Sequence, residues 1–287
     1  MERDARIIKL LTPLLFLILL SKKPVVATTS SLQDHGVRCL DSERLALLEF
    51  KNGLKHPGQL HTWGTEEHKK DCCKWKGILC DNHTNHVVEL NLRDIELGKF
   101  LIHCGNISEA LGNLVSLSYL DLSGHRFQGK IPDTFGNLTY LSHLDLSNNR
   151  LEGAIPDSLG NLMHLSHLDL SENQLEDGIP HTFGNLTSLS HLYMSFYNLN
   201  FNQESGWLIP EALGNLESLS VLDLTSTKLK GRIPDALGNL TSLVYLDLSV
   251  NGLQGRIPDS IGNLRSLSNL HLPLTSLKIV SHLVWGN

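Results

Sequence analysis

The sequence predicts an α/β solenoid, in which coils of about two dozen residues stack so that short parallel strands line one side and short helical turns the other. Three observations carry this. The tripeptide Gly-Asn-Leu begins at Gly112, Gly136, Gly160, Gly184, Gly214, Gly238 and Gly262, at intervals of 24, 24, 24, 30, 24 and 24 residues, and a fixed period of that size marks a stacked-unit architecture. Each period carries the pattern LxxLxL, as in Leu141-Ser142-His143-Leu144-Asp145-Leu146. Hydrophobic residues make up 41% of the chain but aromatics only 6%, so burial has to come from aliphatic side chains repeated many times rather than from a few large rings.

Taken in chain order, residues 1–30 read as a secretory signal peptide. Arg3, Arg6 and Lys9 precede an apolar stretch from Leu10 to Leu20, and Val25-Val26-Ala27 with small residues after it forms the cleavage region. The apolar core is too short to span about 30 Å of hydrocarbon, so the mature chain is expected to be secreted and to carry no membrane span. Residues 31–92 read as a cap on the first coil. Ser42 to Leu54 is an amphipathic helix with Leu45, Leu48 and Leu54 on one side, and Val87 to Leu92 is a first strand. Trp63 and Trp75 belong to the cap core. The five cysteines, Cys39, Cys72, Cys73, Cys80 and Cys104, all lie in the N-terminal part. In an oxidising compartment they read as a local disulfide staple. Adjacent cysteines lack the CxxC spacing that brings two thiolates to one zinc ion. Two bridges leave one thiol over, expected to be Cys104, outside the tight cluster, read as an inert buried thiol or, alternatively, as the half of an intermolecular bridge.

Residues 93–274 are the repeats, about seven of them, one with a six-residue insertion. LxxLxL is a strand whose leucines point inward while the residues between them point out. Asn149 turns the chain out of the strand, its amide satisfying backbone groups of neighbouring units. Gly153 supplies a backbone angle that other residues avoid. Pro156 fixes the exit, and Asp157 begins a short helical turn that ends at Gly160-Asn161-Leu162. The turn Asn is replaced by His125, Tyr197 and Thr227 in three units, and the Gly before Ile-Pro by Asp177 and Trp207 in two; those units are expected to be weaker or reshaped. After His271-Leu272-Pro273-Leu274 the pattern decays, and 275–287 reads as an incomplete end, as of a truncated product.

Outward strand positions stack into columns on the concave side. The third residue of LxxLxL gives Tyr119, His143, His167, His191, Val221, Tyr245 and Asn269, and the fifth gives Asp121, Asp145, Asp169, Tyr193, Asp223, Asp247 and His271. Three consecutive imidazoles therefore flank three consecutive carboxylates about 5 Å apart, with the carboxylates expected to favour the charged imidazole. Two readings stand: a pH-sensitive binding patch, or the residue of tandem duplication of SLSHLDLS units. No single unit supplies a closed metal-ligand set, so no metal and no cofactor are expected. The insertion gathers Tyr193, Phe196, Tyr197, Phe201 and Trp207; it reads either as a contact site, since aromatic clusters bury much area at little entropic cost, or as the repacking of a damaged repeat. The expected ligand-contact residues are thus Tyr119, Asp121, His143, Asp145, His167, Asp169, His191, Tyr193, Tyr197, Trp207, Tyr245 and Asp247. Glycan acceptor sequons occur at Asn82, Asn106, Asn137, Asn185 and Asn239; three share one Gly-Asn-Leu-Thr slot, so their glycans would line a convex edge and leave the concave sheet free.

A formal net charge of −6, without a long basic run, excludes a nucleic-acid surface. The chain holds no GxSxG, HExxH or phosphate-cradling glycine loop, and its Asp and His residues recur with the structural period, which argues against an enzyme.

Cys39 to Cys80, CLDSERLALLEFKNGL…WGTEEHKKDCCKWKGILC, resembles the N-terminal cap of plant leucine-rich-repeat proteins. The repeats LxxLxxLDLSxNxLxGxIPxxLGNL resemble their 24-residue class with its Ile-Pro signature. The resemblance spans nearly everything after Ser30. It implies a right-handed leucine-rich-repeat superhelix with a parallel concave β-sheet, a 3₁₀ or short-helical convex side and an N-terminal helical disulfide cap, paired Cys39–Cys72 and Cys73–Cys80. It further implies an extracellular ligand-binding protein of the apoplast or cell wall, or of the plasma membrane if a longer product adds a transmembrane helix. Such a receptor-like ectodomain, or fragment of one, would take a peptide, glycan or protein ligand and a co-receptor kinase as partners in signalling or defence perception. The alternative is a secreted inhibitor of cell-wall-degrading enzymes, similar to the polygalacturonase-inhibiting proteins, or a soluble decoy.

Overall fold

The computed structural model describes residues 39–55, 57–97, 104–196 and 206–273, with the backbone of 277–278. The expected leader 1–30, Tyr197 and most of the 275–287 end lie outside the described residues.

Among the described residues, one nine-stranded sheet runs in sequence order. Its first pair, β1 (Ile78–Cys80) and β2 (Val87–Asn91), is antiparallel and belongs to the cap. From β2 onward every pairing is parallel: β3 (Tyr119–Asp121), β4 (His143–Asp145), β5 (His167–Asp169), β6 (His191–Tyr193), β7 (Val221–Asp223), β8 (Tyr245–Asp247) and β9 (Asn269–His271). Each strand is three residues long because only the LxL centre of the motif is extended before the chain turns. Its leucines face the interior; Leu141, Leu144 and Leu146 are fully buried, as are their counterparts in the coils on either side. A second set of short parallel strands, Gly105–Asn106, Phe127–Gly129, Arg150–Ala154 and Gln174–Glu176, runs beside the first four coils. The return leg is a five-residue 3₁₀ turn such as Asp157–Asn161, entered from Pro156 at φ −63°.

Two glycines in each consensus coil serve different ends. Gly153 has φ +76°, in the left-handed region where a Cβ is costly. Gly160 has ordinary angles but no room: a Cβ there would lie 2.5 Å from the Thr182 Cβ and 2.7 Å from its carbonyl oxygen. The Gly-Asn-Leu repeat is thus the place where successive 3₁₀ turns touch backbone to backbone. In the Gly153 slot of the next coil Asp177 is held at φ +66°.

The strand exits are tied by asparagine. The Asn149 amide donates to the carbonyls of Leu122, Leu146 and Ser147, and its Oδ1 accepts from the His125 and Phe127 N–H groups. Asn173 repeats this one coil on, and Asn251 does so further along. Serine hydroxyls add a second tie: Ser142, Ser166, Ser190 and Ser220 each donate to the carbonyl of the matching serine in the coil before.

The cap helix α1 (Asp41–Gly53) corrects the phase expected from the sequence. Leu45 is 58% exposed, and the buried stripe is Glu43, Ala46, Leu47, Phe50 and Leu54, with Leu48 at its margin. Glu43 belongs inside because its carboxylate accepts from the Val87 N–H at 2.9 Å and meets His86 Nδ1 at 2.9 Å, pinning the helix to β2. A buried carboxylate with two such partners is tolerated where an unpaired one is not. Trp63 and Trp75 stack at 5.2 Å within the cap, and Phe50 meets Phe127 of the first coil at 5.9 Å. Disulfides join Cys39 to Cys72 and Cys73 to Cys80. Cys104 is free and buried, its thiol donating to the Leu97 carbonyl, and burial pushes its pKa up, keeping it protonated.

Candidate functional site

Parallel pairing without register slip converts the sequence columns into physical ones. Tyr119, His143, His167, His191, Val221, Tyr245 and Asn269 are successive partners across β3–β9, and Asp121, Asp145, Asp169, Tyr193, Asp223, Asp247 and His271 form the column two residues on. The six extra residues before Val221 leave the pairing of β6 with β7 intact.

The third-position side chains form a stack of rings. Tyr119 lies over His143 with centroids 4.2 Å apart and planes within 2°, and His143 lies over His167 at 4.3 Å and 11°. The stack then opens: His167 meets His191 at 5.8 Å and Tyr193 at 5.6 Å, both tilted. All five rings are half-buried. At the other end Tyr245 donates to Asp247 Oδ2 at 3.1 Å, and His271 Nδ1 lies 3.2 Å from the same oxygen. Burial, reinforced by that bond to Asp247, pushes the Tyr245 phenol up to about 12.

The electrostatics reverse one expectation. The carboxylates do favour charged imidazoles, but burial outweighs them. His143 is pulled below the ordinary range by burial, with Asp145 and Asp121 opposing. His167 is pulled down to about 4, by burial first and then by the imidazoles on either side. His167, at the centre of the ladder, is therefore neutral at any pH well above 4 and offers an aromatic, uncharged face there rather than a cation.

The aspartates are less open than the column pattern suggests. Asp121, Asp145 and Asp247 are buried, and Asp169 and Asp223 are intermediate. Each uses Oδ1 to accept the N–H two residues ahead: Ser123, Ser147, Ser171, Thr225 and Ser249 respectively for Asp121, Asp145, Asp169, Asp223 and Asp247. In three coils the hydroxyl of that Ser or Thr donates to the same oxygen. The repeated Asp-Leu-Ser/Thr was the available signal for this strand-ending turn. Burial raises the pKa of Asp169.

Trp207 is not on the concave sheet. It forms an isolated parallel β-bridge with Leu229, packs edge-on against Phe196 at 5.4 Å and stands beside Gly178. It lines an open groove of about 1090 Å³ with Asp177, Glu211, Lys228 and Arg232, apart from the ring ladder. The Gly slot it occupies places it there. Tyr193 stays in the ladder, so the aromatic cluster expected around the insertion is divided between two surfaces. The sequon residues Asn82, Asn106, Asn137, Asn185 and Asn239 are all exposed, and Asn137, Asn185 and Asn239 each end a 3₁₀ turn, away from the ladder.

Comparison with known proteins agrees with this geometry. Residues 40–81 match the leucine rich repeat N-terminal domain, residues 86–208 a leucine-rich repeat region, and residues 218–240 and 242–264 the leucine rich repeat itself. Receptor-like protein EIX1 of Solanum lycopersicum is 42% identical over 113 residues, which cover 35% of this chain and 11% of that protein. The crystal structure of PEPR1-AtPEP1 superposes with a TM-score of 0.72 at 31% identity, covering 84% of this chain and 32% of that one. The Arabidopsis receptor kinase HAESA, solved with the peptide hormone IDA and the co-receptor SERK1, superposes with a TM-score of 0.59 at 34% identity, covering 84% and 42%. The match thus spans about a tenth of the length of the curated relative and well under half of either solved ectodomain. A capped stack of parallel strands and 3₁₀ turns, with these matches along nearly its whole described length, belongs to the leucine-rich-repeat proteins of the plant receptor-like type.

Proposed function

We propose that the chain acts outside the cell as the ligand-binding part of a receptor-like protein, holding an extended peptide along the ring ladder of β3–β6 and presenting the complex to a co-receptor kinase in signalling or defence perception. The reading makes it a binding module and not an enzyme. The observation that carries it is the stack of Tyr119, His143, His167, His191 and Tyr193 in neighbouring coils. Rigid half-buried rings offer apolar faces with polar edges at little entropic cost, the combination enriched where binding energy concentrates. The solved relative that holds a peptide hormone together with a co-receptor supports the choice of peptide over glycan. Among the described residues no helix is long and apolar enough to cross a membrane.

The edge that carries the sequons and the ladder lie on separate surfaces, so glycosylation at Asn137, Asn185 and Asn239 would leave the docking strip clear. The test is to display the secreted chain against a random peptide library, recover binders and repeat the measurement with His167→Ala and His191→Ala. Loss of about tenfold or more in affinity for each supports the strip; binders indifferent to both changes refute it.

A further inference from the structure

Among the described residues, three buried side-chain atoms have no hydrogen-bond partner: Asp71 Oδ2, Asp121 Oδ2 and His143 Nε2. The first is accounted for by the ammonium of Lys74 at 3.2 Å. The other two sit on adjacent strands, and buried polar atoms are so regularly paired that two orphans at one place call for an occupant. Asp121 is fully buried and has committed Oδ1 to the N–H and hydroxyl of Ser123, leaving Oδ2 over. His143 has both ring faces covered, by Tyr119 and by His167, so it can take a partner only at its edge. Asp145, two residues after His143 on β4, is the strand partner of Asp121 on β3. One donor atom from each of Asp121, His143 and Asp145 lies within 4.8 Å of the others.

We propose that these three residues bind a divalent transition-metal ion of the zinc class. One imidazole nitrogen with two carboxylate oxygens is a donor set that zinc accepts, and three protein ligands leave a fourth position for water or for an oxygen or nitrogen of a docked ligand. Two carboxylates balance the ion's charge. The ring stack holds the imidazole plane in place, the office that outer partners of a metal-bound histidine ordinarily fill. No single repeat contains the set, because it closes only where one coil lies beside the next. Residue type does not suffice for it either. One coil further, Asp145, His167 and Asp169 repeat the same types in the same register, and among the described residues their donor atoms do not converge in this way.

The test is a calorimetric titration of the chelator-treated, disulfide-intact full chain with Zn²⁺ alone, paired with the visible absorption of the Co²⁺ form. The wild-type chain is expected to bind one ion, with Co²⁺ giving the stronger bands of a four- or five-coordinate site. Asp121→Asn, which keeps the turn to Ser123, and His143→Gln should each weaken binding at least about tenfold, in line with the losses seen when a metal site is disturbed. Asp169→Asn should leave it within about threefold. The proposal is overturned if the wild-type chain binds no ion at millimolar Zn²⁺, if binding survives both Asp121→Asn and His143→Gln, or if Asp169→Asn weakens it equally. Since the titration uses no peptide, its outcome is independent of the peptide-binding proposal.

Discussion

The coils carrying Asn149 and Asn173 differ from those carrying His125 and Thr227 in how a strand exit is tied down. Asn149 and Asn173 each reach carbonyls of two coils at once. His125 reaches only backward, its Nε2 lying 2.8 Å from the Leu92 carbonyl, and Thr227 reaches the Leu224 carbonyl of its own coil and the Asn251 Oδ1 of the next, but no carbonyl of a second coil. The backbone registers the loss. The residue after the tie is forced to positive φ in the two substituted coils, Arg126 at 57° and Lys228 at 59°, whereas Arg150 and Gln174 are not. A short planar amide with donors and an acceptor on one carbon does what neither a longer ring nor a hydroxyl can. The solenoid tolerates the replacements because the leucine interior and the strand pairing continue past them.

Changing Asn149 to Ala breaks the comparison most severely. It orphans the buried N–H groups of His125 and Phe127 together with the carbonyls the amide served, at a cost of about 3–5 kcal/mol given about 1–3 kcal/mol for each buried unsatisfied group. Hydrogen exchange should show protection lost first around Leu122–Leu151, and denaturant unfolding should shift to lower midpoint. The tie at the opposite side of the coil is steric rather than hydrogen-bonded. Gly160→Val drives a branched side chain into the Thr182 backbone and should cost about 1–3 kcal/mol, with exchange rising at the 3₁₀ turns instead of the strand exits. If both variants loosen the same amides, the two contacts are not separable.

A smaller change sharpens the contrast by repairing a coil. Val250 occupies at φ +54° the slot that Asn148 holds at +52° in its consensus coil, and Val250 is 60% exposed. A β-branched residue is strained there. Val250→Asn should raise stability by about 1 kcal/mol, read as an increased melting temperature with no change in circular dichroism.

The mildest prediction concerns His125 and appears only in acid. Burial pulls its pKa below the ordinary 6.5, with the Leu92 carbonyl and Asp121 opposing. The unfolded chain therefore takes up the proton at higher pH than the folded chain. The stability present above about 6.5 is lost as pH falls from there toward the folded-state value. His125→Asn removes this share of the acid sensitivity. Stability measured from pH 7 down to pH 4 should fall less steeply in the variant, and an unchanged slope would assign the acid response to His143 and His167.

Much of this fold could be read before any coordinates. The period, the inward leucines and the outward columns are consequences of one spacing rule, and the strand partners follow it residue by residue from β3 to β9. The resemblance of the cap implied the pairs Cys39–Cys72 and Cys73–Cys80, which the structure contains. What the spacing rule does not contain is the third dimension of side-chain use. A helix phased on Leu45 and Leu48 turns Glu43 to solvent, because the partners that hold it inside, the Val87 N–H and His86, lie more than forty residues along the chain. The aspartates looked like open carboxylates because a serine two residues on gives no sign of which oxygen it occupies. The imidazoles looked cationic because charges can be counted in a string and burial cannot. Trp207 looked like part of the concave surface because it was grouped with the aromatics around the insertion, although the Gly slot that the repeat assigns to it lies off the sheet.

Strand pairing that passes undisturbed through the six-residue insertion, His191 against Val221 and Tyr193 against Asp223, has a consequence for how such a molecule can change over generations. Duplication or loss of one whole unit lengthens or shortens the docking strip by a single rung of about 4.8 Å and leaves every other rung facing as before. A stray odd-numbered indel inside LxxLxL would turn leucines outward and be fatal, whereas one in the connecting leg is silent. The reach of the binding surface is therefore adjustable in discrete steps, independently of the chemistry displayed on each.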